Sequence, residues 1–217
     1  MKAVNKIKPI LFSTPMVKAL ELLKTQTRRL LKSFNPDYPI FKGIGRRHKL
    51  NVPDPIETFA VFENEFGERI KIKSPYQVGD VIWVRETWRV DPHGGYDYKS
   101  NYTTQFCNHP NNKVMWMPSI FMPKDAARIF LNITDVRVER IQDITEKDAE
   151  AEGVKIDEDG FLCWDYMSNK WLPFGNPPQE SFKTLWQSIK GTDSWNENPW
   201  VWVFSFEVMT KPESFNT

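Results

Sequence analysis

The chain has 217 residues, enough to bury a substantial core in one domain and too few for two full-sized ones. Its 29 Lys and Arg against 28 Asp and Glu leave a net charge of +1, which excludes the strongly basic surface that grips duplex DNA through many phosphates. An apolar content of 40% is spread without any run of membrane-spanning length, and the two cysteines, Cys107 and Cys163, lie too far apart for a disulfide framework or a CxxC metal site.

Lys2, Lys6 and Lys8 precede only a short apolar stretch, residues 9–12, which is too brief for a signal peptide and implies a cytoplasmic protein. The spacing of Val17, Leu20 and their neighbours predicts a helix over 14–23, with Thr14 as cap and Pro15 in its first turn. Lys24-Thr25-Gln26-Thr27-Arg28-Arg29 follows where that helix gives way to an extended segment. Thr25 and Thr27 then share one strand face, and Gln26 and Arg28 the other. Arg46, Arg47, His48 and Lys49 form a second basic cluster, and residues 43–47 read as a flexible basic loop because they lack any phosphate-loop pattern.

Residues 57–73 predict a hairpin, with strands at 58–62 and 69–73 around a polar turn. A further strand is expected at 81–88, interrupted by the charges of Arg85 and Glu86. From about 91 to 117 the composition turns to Gly, Asn, His and Tyr without periodicity, which marks a first long insertion. Strands at 128–134 and 136–141 are separated by a break near Asp135. Residues 145–153 carry a Thr cap, early acidic residues and a terminal Gly, and so predict a short helix. After a second insertion, about 155–176, helical spacing of Phe182, Leu185, Trp186 and Ile189 predicts a helix over 177–191. The β-rich segment 199–208 reads as a central strand. Five or six strands with interspersed helices, all in one domain over 1–217, indicate an α+β fold or a small barrel with peripheral helices.

The order of motifs carries a resemblance. A helix, Lys24-Thr25-Gln26-Thr27-Arg28-Arg29, Val78-Gly79-Asp80-Val81, Ile144 to Gly153, and an aromatic last strand resemble the ASCH domain of the PUA-like superfamily. The chain looks most like the larger versions encoded by bacteriophages and prophages, through residues 9–13, 83–88, Pro118-Ser119, Met122-Pro123 and 198–203. That resemblance implies a PUA-like small β-barrel that binds a nucleoside, a modified base or single-stranded RNA or DNA in a cleft. No cofactor, metal or membrane partner is implied.

One branch of small bacterial ASCH proteins hydrolyses the acetyl group of N4-acetylcytidine, and the resemblance carries its catalytic positions to Lys24, Thr27 and Glu152. Amide hydrolysis needs a nucleophile, a proton acceptor and an acid for the leaving nitrogen: a Thr can be the nucleophile or orient water, a desolvated Lys can accept a proton and a Glu can pass one to the amine. Arg28, Arg29, Glu86 and Trp88 are the expected substrate-binding residues, with Arg29 suited to a phosphate or a developing negative charge. In this chain Leu22 and Leu23 precede Lys24 where the small enzymes have a Gly. Two alternatives stay open, a non-catalytic binder of RNA or modified DNA and a phage protein-interaction module. Zinc binding by Cys107 and His109 with His93 and His48 matches no closed four-ligand spacing.

Overall fold

The computed structural model describes residues 7–21, 24–48, 56–102 and 114–216. Its centre is a mixed five-stranded sheet in the order β1-β6-β9-β12-β2, built from Ile7–Leu11, Val81–Arg85, Phe130–Arg140, Trp200–Met209 and Gln26–Leu30. β1 runs parallel to β6, and the other three pairings are antiparallel. A second, antiparallel sheet of β3 (Ile40–His48), β4 (Ile56–Glu63) and β5 (Arg69–Lys73) lies against it.

The last strand shows how the sequence divides the molecule into layers. Trp202, Phe204 and Phe206 of β12 face a core shared with Ala60 and Phe62 of β4, whereas Val201 and Val203 face a second core under the C-terminal helices. This is the period-2 alternation of a strand buried on both faces. On β9 the shared-core residues are Leu131 and Ile133, then Val136 and Val138, so the parity changes midway. A bulge opposite Ser205 and Phe206 makes the change, and it accounts for the break expected near Asp135: one continuous strand accommodates an extra residue.

Helix α1 (Thr14–Glu21) packs Val17 onto the shared core. The Val17 N–H donates to the Ser13 carbonyl at 3.0 Å, so the helix is capped one residue earlier than Thr14. Helices α2 (Glu146–Ala151) and α3 (Pro178–Lys190) cover the opposite face of the sheet through Ala149, Phe182, Leu185 and Trp186. Thr145 caps α2 as expected, its hydroxyl accepting from the Asp148 N–H.

Several expectations change. The described residues form twelve strands in four sheets and no closed barrel, because β1 and β2 end as opposite edges of the central sheet. Residues 43–47 are not a loop: they lie in β3, paired with β4, and Gly45 permits the Phe59 ring to lie where a Cβ would be. The strand expected at 81–88 stops at Arg85 and restarts as β7 (Trp88–Val90), which pairs with β8 (Tyr96–Tyr98), so the first insertion begins with a hairpin. The second insertion carries the small hairpin of β10 (Trp164–Asp165) and β11 (Lys170–Trp171). Among the described residues no helix is long and apolar enough to cross a membrane.

Candidate functional site

β2 is the edge strand of the central sheet, and its alternation decides which side chains meet. Thr27 pairs with Phe204 and Arg29 with Trp202, which places both on the shared-core face. Arg28 pairs with Val203 and so belongs to the face covered by α2 and α3. Just before the strand, the Lys24 N–H donates to the Ala19 carbonyl of α1 at 3.0 Å, and the Thr25 N–H donates to the Ala151 carbonyl of α2 at 2.8 Å. The entry to β2 is thereby tied to the ends of two helices. Gly153 makes that approach possible: its φ is +78°, and a Cβ there would lie 2.7 Å from the Ala19 Cβ and 3.0 Å from the Lys24 Cβ.

Lys24 and Glu152 form a buried pair, at 1% and 3% relative exposure. The Lys24 Nζ donates to Glu152 Oε2 at 2.6 Å and to the Glu152 carbonyl at 2.6 Å. Lys24 is thus a cation at the C-terminus of α2, where it offsets both the helix dipole and the carboxylate of the residue that ends the helix. The other Glu152 oxygen accepts from Arg28 Nη1 at 3.0 Å. Arg28 also donates through Nε and Nη2 to Glu139 Oε1 at 2.8 and 2.6 Å, and stands 5.5 Å from the Phe182 ring centre. Arg137 extends the network to Asp148 at 2.7 Å and to Gln26 at 3.1 Å. Three cations therefore face three carboxylates, which is what allows so much charge to be buried.

Burial strips water from the Lys24 ammonium and lowers its pKa below the ordinary lysine value; Glu152 opposes the shift, and the charges of Arg29 and Arg28 reinforce it. Arg28 and Arg29 belong to opposite faces of β2, yet both lie close enough to act on Lys24. The Lys24–Glu152 pair sits where the chain enters β2, the edge strand of the central sheet.

Thr27 is fully buried, and its hydroxyl has no hydrogen-bond partner. Arg29, two residues on, donates from Nη2 to the Leu11 carbonyl at 2.6 Å and lies 5.4 Å from the Phe12 ring centre, while its Nε is buried and unpartnered. The Ser13 hydroxyl at the start of α1 is likewise unpartnered. Buried polar atoms without partners are uncommon, and each carries a free-energy cost that packing must offset.

The structure brings Lys24, Arg28 and Glu152 into direct contact and sets Thr27 and Arg29 on the adjoining face. Glu86 and Trp88 belong elsewhere. Glu86 is 1% exposed and accepts from Arg128 Nε and Nη2 at 2.8 and 2.9 Å and from the Ser100 hydroxyl at 2.6 Å. Its partner is therefore Arg128, two residues before β9. Trp88 packs in a small apolar cluster with Tyr98, Met122 and Ala126. Cys107, His109, Lys49, Leu22 and Leu23 lie outside the described residues. Among the described residues no group of three or more His, Cys, Asp or Glu is placed to hold a metal ion.

Sequence reasoning missed Arg137, Glu139 and Asp148 as members of the charge network, and Gln26 as an acceptor for Arg137. A signal for two of them exists: Arg137 and Glu139 are opposite charges two apart on a strand whose intervening Val138 is apolar, so they share the face away from the main core.

Compared with family models, with curated proteins and with solved structures, the chain matches none.

Proposed function

We propose that this chain is an ASCH/PUA-like protein that takes a nucleoside or an extruded base at the edge of β2 and hydrolyses an N-acyl amide of the N4-acetylcytidine type. What supports this reading is a buried Lys24–Glu152 pair at the entry to β2 and, three residues after Lys24, a buried, unpartnered Thr27 hydroxyl. A lysine of lowered pKa is suited to accept a proton, and a hydroxyl committed to no hydrogen bond is suited to attack.

In its neutral amine form, which the lowered pKa favours, Lys24 takes the Thr27 hydroxyl proton as Oγ1 bonds to the acyl carbon. The C–N bond then breaks, and the leaving nitrogen receives the proton, relayed across the 2.6 Å contact between Lys24 and Glu152. Water hydrolyses the acyl-threonine ester, which releases the acid and restores the hydroxyl. Arg29, with an unpartnered Nε, stabilises negative charge developing on the acyl oxygen or holds a phosphate.

Incubation with a panel of N4-acylated cytidines, followed by mass spectrometry, should reveal the free amine. That activity should vanish in Lys24→Ala and Glu152→Ala variants shown to be folded. No turnover across the panel with the unaltered protein would reject the enzymatic reading.

A second reading, a non-catalytic binder of RNA or modified DNA, is favoured by one observation: both Glu152 oxygens are occupied, by Lys24 and by Arg28. Binding should then weaken with salt and survive replacement of Thr27. Absent or salt-independent binding would reject it.

A further inference from the structure

The sheet of β3, β4 and β5 has an inner and an outer face. Thr58, Ala60 and Phe62 of β4 are buried, the last two in the shared core, so Glu57, Phe59, Val61 and Glu63 belong to the outer face. Register carries that face across the sheet: Phe59 pairs with Gly45 of β3 and Lys73 of β5, Val61 with Gly43 and Lys71, and Glu63 with Ile40 and Arg69. The two glycines leave β3 without side chains beside Phe59 and Val61. The Phe59 ring lies across Gly45, and a Cβ at Gly43 would meet nothing within 4 Å, so the surface is open there.

Charge on this face is layered. Glu57 accepts from Arg47 Nη2 at 3.1 Å and from Lys73 Nζ at 2.5 Å. Glu63 accepts from Arg69 Nε at 2.7 Å and pairs with Lys42 Nζ at 3.2 Å. The two carboxylates are recessed, with side chains 15% and 14% exposed, whereas those of Arg47, Lys73 and Arg69 are 70%, 62% and 60% exposed. Lys71 is exposed as well, and its Nζ stands 5.0 Å from the Phe59 ring centre. Five cations, Lys42, Arg47, Arg69, Lys71 and Lys73, thus stand over two carboxylates, an excess of three positive charges on one face of a chain whose net charge is +1. Each carboxylate orients two cations, and the charge presented to solvent is positive.

We infer that the outer face of this sheet binds single-stranded nucleic acid, with unpaired bases on Phe59 and Val61 beside the glycines of β3 and phosphates on Lys71, Lys73 and Arg47. Charge complementarity makes the occupant a polyanion, and an aromatic ring among the cations selects one that carries flat ring faces between its charges. A duplex keeps its bases stacked on one another, so only a single strand can use Phe59. Contacts to phosphates and to a ring face carry no sequence information, and binding is accordingly tolerant of sequence and of the sugar. The surface lies on the opposite side of β4 from the shared core. It is separate from the Lys24–Glu152 pair and requires no acyl-nucleoside chemistry.

The test is fluorescence anisotropy with labelled oligo-dT and oligo-U of about ten nucleotides, with a duplex of the same length as the comparison. Both single strands should bind, more tightly than the duplex, with affinity that falls as salt rises. Lys71→Gln with Lys73→Gln should make the slope of log K against log salt shallower by about 1.4, the share of two phosphate contacts on a single strand. Lys71→Arg with Lys73→Arg should preserve the slope. Phe59→Leu keeps an apolar side chain on Gly45 but removes the flat ring, and should weaken binding about ten-fold without changing the slope. Both lysines are exposed, and circular dichroism checks that every variant is folded. Absent binding, or binding untouched by the Gln substitutions, overturns the inference. So does binding that needs the lysines but is insensitive to Phe59→Leu and equal for the duplex, since the face would then attract any polyanion.

Discussion

Thr27→Val separates a functional hydroxyl from a structural one. The Thr27 side chain is fully buried on β2, paired across the sheet with Phe204, and its Oγ1 donates to nothing and accepts from nothing. Leaving a buried hydroxyl unsatisfied costs about 1–3 kcal/mol. Valine keeps the branched shape that suits a strand and removes that cost. The variant should therefore be more stable by about 1 kcal/mol, after allowance for imperfect repacking of the added methyl. For a chain of this length that corresponds to a rise in Tm of roughly 2–4 °C. The same substitution should abolish deacylation of N4-acylated cytidine. Urea melts and calorimetry read the first effect, and product release reads the second. A variant that is less stable by more than about 1 kcal/mol would mean that the hydroxyl has a structural partner in solution, which would refute the reasoning. Gain of stability with loss of activity is the pattern expected where a site is maintained against folding free energy.

Other substitutions in the same network move stability the opposite way. Glu152→Gln leaves the buried Lys24 and one arm of Arg28 without their carboxylate, and should cost about 3–5 kcal/mol, or roughly 10 °C in Tm; a loss under about 1 kcal/mol would show that the pair is not buried in solution. Burial holds the folded-state pKa of Lys24 below the ordinary lysine value, so between the two the unfolded chain holds a proton that the folded chain has released. Stability attributable to this group therefore rises with pH between the lowered and the ordinary value, and Lys24→Met should remove this slope from urea midpoints followed from neutral pH up to the ordinary lysine range. A slope identical in both proteins would contradict the assignment. Gly153→Ala forces a side chain into a backbone with φ of +78° and onto Ala19 and Lys24, whereas Gly160, also at +78°, has nothing within 4 Å of the added Cβ. Thermal melts should show a loss of about 1–2 kcal/mol at Gly160 and a larger one at Gly153; equal losses would remove the close-approach argument.

The sequence made some of this architecture legible and concealed the rest for identifiable reasons. The 57–73 hairpin, the Thr145-capped helix and the last strand appear where periodicity and caps indicate, because in each the local pattern and the tertiary environment agree. β1 was not foreseen, since Pro9 interrupts it, and it lies at the parallel edge of the sheet, where a proline is tolerated. β3 was hidden by its glycines and arginines: Gly45 reads as a loop until the Phe59 ring is seen to fill its place. The Lys24–Glu152 contact spans 128 residues of sequence and came from the ordered motifs, not from periodicity. Glu86 shows the opposite failure. A carboxylate among tryptophans on an apparent strand looks chemically exposed, but a strand break turns it onto Arg128, and only tertiary structure supplies that partner.

A crystal structure of the protein soaked with N4-acetylcytidine is the most direct measurement of whether the edge of β2 is an acyl-nucleoside site. The acyl carbon should lie about 3–3.5 Å from the Thr27 hydroxyl oxygen, in a near-attack geometry, with the Lys24 amine beside that hydroxyl and Glu152 still in contact with the amine. A nucleoside bound elsewhere, or one that leaves Thr27 and Lys24 facing apart, would contradict it.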